Sequence, residues 1–186
     1  MYFSYSKKKF LNSKKNNMKI SNNFYIQEFV SRDFYLENGD GSLKYIDKRI
    51  VLACQYIREK IAKPVTINNW SDGGEREFSG LRPFVCKVGV AYSQHKYGRA
   101  ADLKCDSMSS EEMRQMVKRY WPDLKKYIST IEDDTDGWLH IDCRWTENPE
   151  ILNIVPNPFK ASDRSLESAE VGSRGLGEID EYDGWD

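Results

Sequence analysis

Apolar residues recur at helical spacing over residues 43–62, where Ile46, Ile50, Cys54, Ile57 and Ile61 share one face and Lys48, Arg49, Arg58 and Glu59 lie elsewhere. That pattern predicts an amphipathic helix. Pro64 stops it, and Val65-Thr66-Ile67-Asn68 then reads as a short strand. A second helix is predicted from Ser109, because Glu112 three residues later completes a capping-box pattern. Met113, Met116, Val117 and Tyr120 form its apolar side, and Trp121-Pro122 closes it. Two other segments alternate with period two. In residues 99–105, Ala101, Leu103 and Cys105 point one way while Ala100, Asp102 and Lys104 point the other. In residues 138–144, Leu139, Ile141 and Cys143 are the apolar side, and Trp138, His140, Asp142 and Arg144 share the opposite face. Each strand therefore presents ionisable groups away from the core, as suits antiparallel pairing with one open face. The expected fold class is α+β: a single domain with a small antiparallel sheet, helices packed on one side, and flexible tails.

Composition sharpens the boundaries. A chain of 186 residues and 21.7 kDa has room for one proper core. With 28 basic against 29 acidic side chains, it lacks the cationic surplus of a nucleic-acid or membrane-surface binder. No apolar run approaches the ~20 residues needed to span a bilayer, so no membrane insertion is expected. The ends differ from the middle. Residues 1–19 carry six lysines and no acid, and residues 163–186 carry eight acids against two arginines. The reading is a basic flexible segment over 1–17, a folded unit over 18–160 and an acidic disordered tail over 161–186. The lysine-rich start has no apolar core behind it, so no signal peptide is expected. Cys54, Cys86, Cys105 and Cys143 form no C-x-x-C pair, which signals neither a disulfide framework nor a cysteine-rich zinc module. Cys105 and Cys143 fall on apolar strand faces, as buried thiols do.

Only two histidines occur, His95 and His140, and both lie near acids. Imidazole nitrogens and a carboxylate oxygen are zinc donors, and a catalytic zinc site uses three protein ligands with one position left for water. A loop histidine at 95, a carboxylate at 102 and a strand histidine at 140 can supply such a set. Gly98 permits a tight turn between His95 and the strand carrying Asp102, and small Ala100 leaves space beside the carboxylate.

The run Ser-Gln-His-Lys-Tyr-Gly-Arg-Ala-Ala-Asp at 93–102 fits the S-x-H-x-x-G-x-A-x-D motif of peptidase family M15, and Trp-Leu-His-Ile-Asp at 138–142 resembles that family's second histidine motif. These are zinc D-alanyl-D-alanine carboxypeptidases and phage endopeptidases of the Hedgehog/DD-peptidase fold. Residues 65–83, with Gly80-Leu81-Arg82, and the opening segment 24–30 are similar to further parts of the family, so the resemblance spans roughly residues 20–146. It implies zinc held by His95, Asp102 and His140, with Ser93 near the bound substrate. Arg82 would hold a substrate carboxylate or carbonyl, a task suited to a planar guanidinium.

One departure stands out. Many members place a glutamate three residues before the second histidine as general base, and here that position is Gly137. Asp142, on the strand face of His140, and Asp136, in the preceding loop, are the candidates, with Asp142 favoured. A role for Asp142 in orienting a ligand histidine stays open. Trp70 either lines the cleft or packs within its loop. The resemblance implies zinc-dependent hydrolysis of peptide bonds in peptidoglycan stem peptides by a phage-encoded enzyme, either D-Ala-D-Ala carboxypeptidase or L-Ala-D-Glu endopeptidase. It would reside in the host bacterial cytoplasm before lysis or in a virion, and its partners would be stem peptides and possible phage virion proteins. The alternative is a non-catalytic, zinc-stabilised virion structural or cell-wall-binding module.

Overall fold

In the computed structural model, residues 17–158 are described. The basic segment expected over 1–17, except its last residue, and the acidic tail over 161–186 lie outside the described residues. The central helix, α2 (Lys48–Ile61), starts where Asp47 caps it by accepting from the Arg49 backbone N–H at 3.0 Å. It buries Ile50, Val51, Ala53, Cys54, Ile57 and Ile61. The helix is shorter than the 43–62 expected. Residues 39–45 form a 3-10 helix instead, and Ile46 is extended before the cap. The Asp47 N–H donates to the Gly98 carbonyl at 2.9 Å, which fixes the turn into α2, and Ile46 still reaches the core. A short helix ahead of it, α1 (Arg32–Asn38), buries no residue, which is why hydrophobic periodicity did not announce it.

The next helix, α3 (Ser110–Arg119), has the expected capping box, with Ser109 and Glu112 bonded reciprocally. Trp121-Pro122 does more than close it: the pair opens a one-turn helix, α4 (Trp121–Leu124), with proline where a helix tolerates it. The strand expected at 65–68 is reduced to a single bridge, Thr66 with Lys104. Its backbone is diverted, since the Asn68 N–H donates to the Glu28 carbonyl and the Asn68 side chain bonds Val30 and Ser79.

Four strands form one sheet in the order β1-β3-β2-β4, with β1 (Ala100–Leu103), β2 (Thr130–Asp133), β3 (Leu139–Asp142) and β4 (Asn153–Pro156). The β1/β3 and β2/β3 pairs are antiparallel, but β4 runs parallel to β2, so the sheet is mixed rather than antiparallel throughout. The chain from 143 to 152 is long enough to return past β2 and add β4 in the same direction. Ala101, Leu103, Ile131, Leu139 and Ile141 face the core, where α2 packs on β1 and α3 on β3. The two longest helices, α2 and α3, thus pack on one side of the sheet. The other face is not open: Asp102, His140 and Asp142 are buried, at 7, 4 and 0% exposure. The segment carrying Arg82 and His95 folds over it and bonds Asp102, while Arg144 bonds Asp142. Among the described residues, no helix is long and apolar enough to cross a membrane.

Candidate metal centre

Strand register places two of the three expected ligands side by side. Asp102 of β1 is directly opposite His140 of β3, and Ala100, one step along the same face, is opposite Asp142. The third ligand comes from the 3-10 helix Gln94–Tyr97, which Gly98 ends with φ +65° in the left-handed region. A side chain there would place its Cβ 1.9 Å from the Tyr45 carbonyl oxygen. Gly98→Ala is therefore expected to destabilise the fold by at least roughly 1–3 kcal/mol from backbone strain alone. It should also weaken metal uptake by turning His95 away, and urea melts with zinc titration measure both.

The three donor atoms form a triangle: His95 Nε2 to Asp102 Oδ1 is 3.2 Å, His95 Nε2 to His140 Nδ1 is 3.3 Å, and His140 Nδ1 to Asp102 Oδ1 is 2.8 Å. Bonds of 2.0–2.1 Å to one tetrahedral cation put ligand atoms about 3.3–3.4 Å apart, so the triangle is close to the size needed. Tautomers agree. The His95 Nδ1–H donates to the Gly80 carbonyl at 2.8 Å, which leaves Nε2 as the lone pair facing the centre. His140 Nε2 lies 3.2 Å from Asp142 Oδ2, so its hydrogen points there and Nδ1 faces inward. Gly80 must approach closely to serve His95, since a Cβ on it would lie 2.3 Å from the Phe29 carbonyl oxygen. The His95–Asp102–His140 group is buried and can hold a metal ion.

Around the triangle, Arg82 Nη2 donates to Asp102 Oδ2 at 3.0 Å and its Nε donates to the Phe78 carbonyl. Arg82 thus fixes the Asp102 carboxylate while lining the cleft. Ser93 also lines the cleft, and its hydroxyl makes no capping bond to the following turn. The cleft is about 390 Å³ and also takes in Glu132, Trp138 and Arg144. Asp142 shares the His140 face as expected, but it is 0% exposed and does not line the cleft; Arg144 engages both its oxygens. Asp136 is exposed in the β2–β3 turn, which Arg114 ties to α3 through Thr135, and it stands outside the cleft lining. Trp70 is neither in the cleft lining nor confined to its loop: it donates to the Val30 carbonyl at 2.8 Å and its ring lies beside Tyr35. Cys105 and Cys143 are buried, as expected.

The sequence reading missed Glu132. It sits on β2 in the cleft wall, with Oε1 3.8 Å from His140 Nε2 and its side chain 14% exposed. The signal available was Ser-Thr-Ile ahead of it, a β-branched start that makes the first residues of the acidic run a strand rather than a loop.

Burial raises the Glu132 carboxyl above the usual range. Burial opposes charge on Asp102 too, but the adjacent histidines outweigh it and hold that carboxyl well below the usual range. Burial lowers His95. For His140, burial pulls down, yet the bonds to Asp102 and Asp142 win and bring it up to about 10. In the metal-free chain one proton on His140 therefore holds the triangle together. Because the folded pKa lies above the unfolded one, this stabilisation is complete below about 6.5 and is lost as pH rises through about 10. A metal must displace that proton, so zinc affinity is expected to rise about tenfold per pH unit between pH 6.5 and 8, read by chelator competition.

No protein-family model, curated protein or solved structure compared with this chain matches it.

Proposed function

We propose that this chain is a zinc peptidase that hydrolyses peptide bonds in bacterial peptidoglycan stem peptides. The observation that carries the proposal is the buried His95–Asp102–His140 triangle, which forms part of a cleft wall that also presents Glu132 and Arg82. Two imidazoles and one carboxylate are a catalytic-zinc donor set. The motifs at 93–102 and 138–142, which resemble peptidase family M15, are the segments that supply these side chains. When bound, zinc supplies Lewis acidity to a scissile carbonyl and makes water acidic near neutral pH. Glu132 takes the proton of the attacking water and delivers it to the leaving amine as the C–N bond breaks. Arg82 keeps Asp102 in place and offers positive charge to the developing oxyanion. The protein would be phage-encoded, acting on the wall of its host after lysis begins or from a virion.

Gly137 favours a second reading, a zinc-stabilised virion or wall-binding module without catalysis, since no carboxylate stands at that position. Zinc-loaded protein incubated with purified peptidoglycan separates the two. The peptidase reading expects chelator-sensitive release of D-Ala or appearance of new amino termini by mass spectrometry. Zinc-loaded protein that leaves the peptides intact favours the module.

A further inference from the structure

We infer that Arg144 is a positioning residue for the metal centre, acting on His140 through Asp142; the inference rests on the metal-site reading above. The contacts run in one line. Arg144 Nε donates to Asp142 Oδ1 at 2.9 Å and Oδ2 at 3.0 Å, its Nη2 donates to Oδ2, and its backbone N–H donates to Oδ1 at 3.0 Å. Asp142 Oδ2 in turn accepts from His140 Nε2 at 3.2 Å, on the ring edge opposite the donor nitrogen that faces the triangle. The Arg144 carbonyl accepts from Ser129 Oγ at 2.6 Å, which ties the backbone bearing the guanidinium to the residue before β2.

Two carboxylates compete for the same imidazole edge, Asp142 at 3.2 Å and Glu132 at 3.8 Å. Arg144 decides between them. A guanidinium fork and a backbone N–H occupy both oxygens of the fully buried Asp142 and leave Oδ2 aimed at His140. Glu132 has no such clamp on its oxygens among the described contacts and lines the cleft, so it stays available for proton transfer. The Arg144 side chain, 32% exposed, reaches this position from the cleft rim. Removing the fork lets Asp142 turn, frees the His140 ring to rotate and loosens one metal ligand without touching the metal. Partners of ligand histidines act in this way and their loss weakens metal binding.

The test is zinc affinity of the full chain by chelator competition, with cobalt(II) absorption as a second reading of ligand geometry. Arg144→Ala is expected to weaken zinc by about 10–100-fold, and Asp142→Asn by a similar factor. The double variant should bind within about twofold of Asp142→Asn alone, because both changes break one route. Arg144→Lys should fall between wild type and Arg144→Ala, since an ammonium cannot fork. It also keeps the cation should Arg144→Ala not fold. The cobalt bands should shift in Arg144→Ala and partly recover in Arg144→Lys. Unchanged zinc affinity in the Arg144 variants, even with a lowered melting temperature, overturns the inference and leaves the metal site standing. Losses that add in the double variant overturn the route through Asp142. A wild-type chain that takes up neither zinc nor cobalt removes the metal reading and this inference together.

Discussion

His95→Ala is expected to lose peptidoglycan hydrolysis and to bind zinc more than about 100-fold more weakly, a larger loss than removing a supporting partner of a ligand brings. The substitution deletes one corner of a triangle whose sides are 2.8–3.3 Å and leaves Asp102 with His140 alone. The fold should survive. His95 lies on the face of the sheet opposite the helices, and the core residues Leu103, Ile131, Leu139 and Ile141 pack on the other side. Circular dichroism should therefore stay near wild type while zinc content and digestion fall together. Undiminished digestion would refute the catalytic assignment.

Glu132→Gln is expected to separate chemistry from metal holding. Gln keeps the size of the side chain but cannot take a proton, so the turnover rate should fall by roughly 10²–10⁴-fold while zinc uptake stays near wild type. Asp142→Asn should show the opposite balance, with zinc affinity falling first, because Asp142 is spent on Arg144 and His140. Asp136→Asn should change neither, given its exposed place outside the cleft lining. Burial raises the Glu132 pKa, so activity should fall on acidification at a higher pH than an ordinary glutamate would give. A Glu132→Gln enzyme that retains full turnover would return the general-base role to another group.

Local chemistry made much of this legible in the sequence. The Ser109–Glu112 box, the helical face of Ile50, Cys54, Ile57 and Ile61, and the alternation around Asp102 and His140 are each set by neighbours within a few residues, so periodicity and capping rules reach them. What depended on distant partners was not legible. The start of α2 is fixed by Asp47 against Gly98, and the expected strand at 65–68 is undone by the bonds of Asn68 to Glu28, Val30 and Ser79. The parallel edge strand β4 follows from a return path, not from its own four residues. In the site, two strand residues and a loop histidine could be paired by chemistry alone. Glu132 could not, because its nearness to His140 arises from β2 pairing with β3 through Thr130–Asp142 and Ile131–Ile141. Burial, which takes Asp142 out of the cleft lining and sets it against Arg144, was likewise beyond the reach of strand alternation.

X-ray absorption on the zinc-loaded chain tests the central claim most directly. The account predicts one zinc per chain, with nitrogen and oxygen neighbours at about 2.0–2.2 Å, the multiple-scattering signature of two imidazoles and no sulfur at about 2.3 Å. Zinc bound through a cysteine sulfur, or a chain that retains less than a small fraction of one zinc after dialysis, would contradict it.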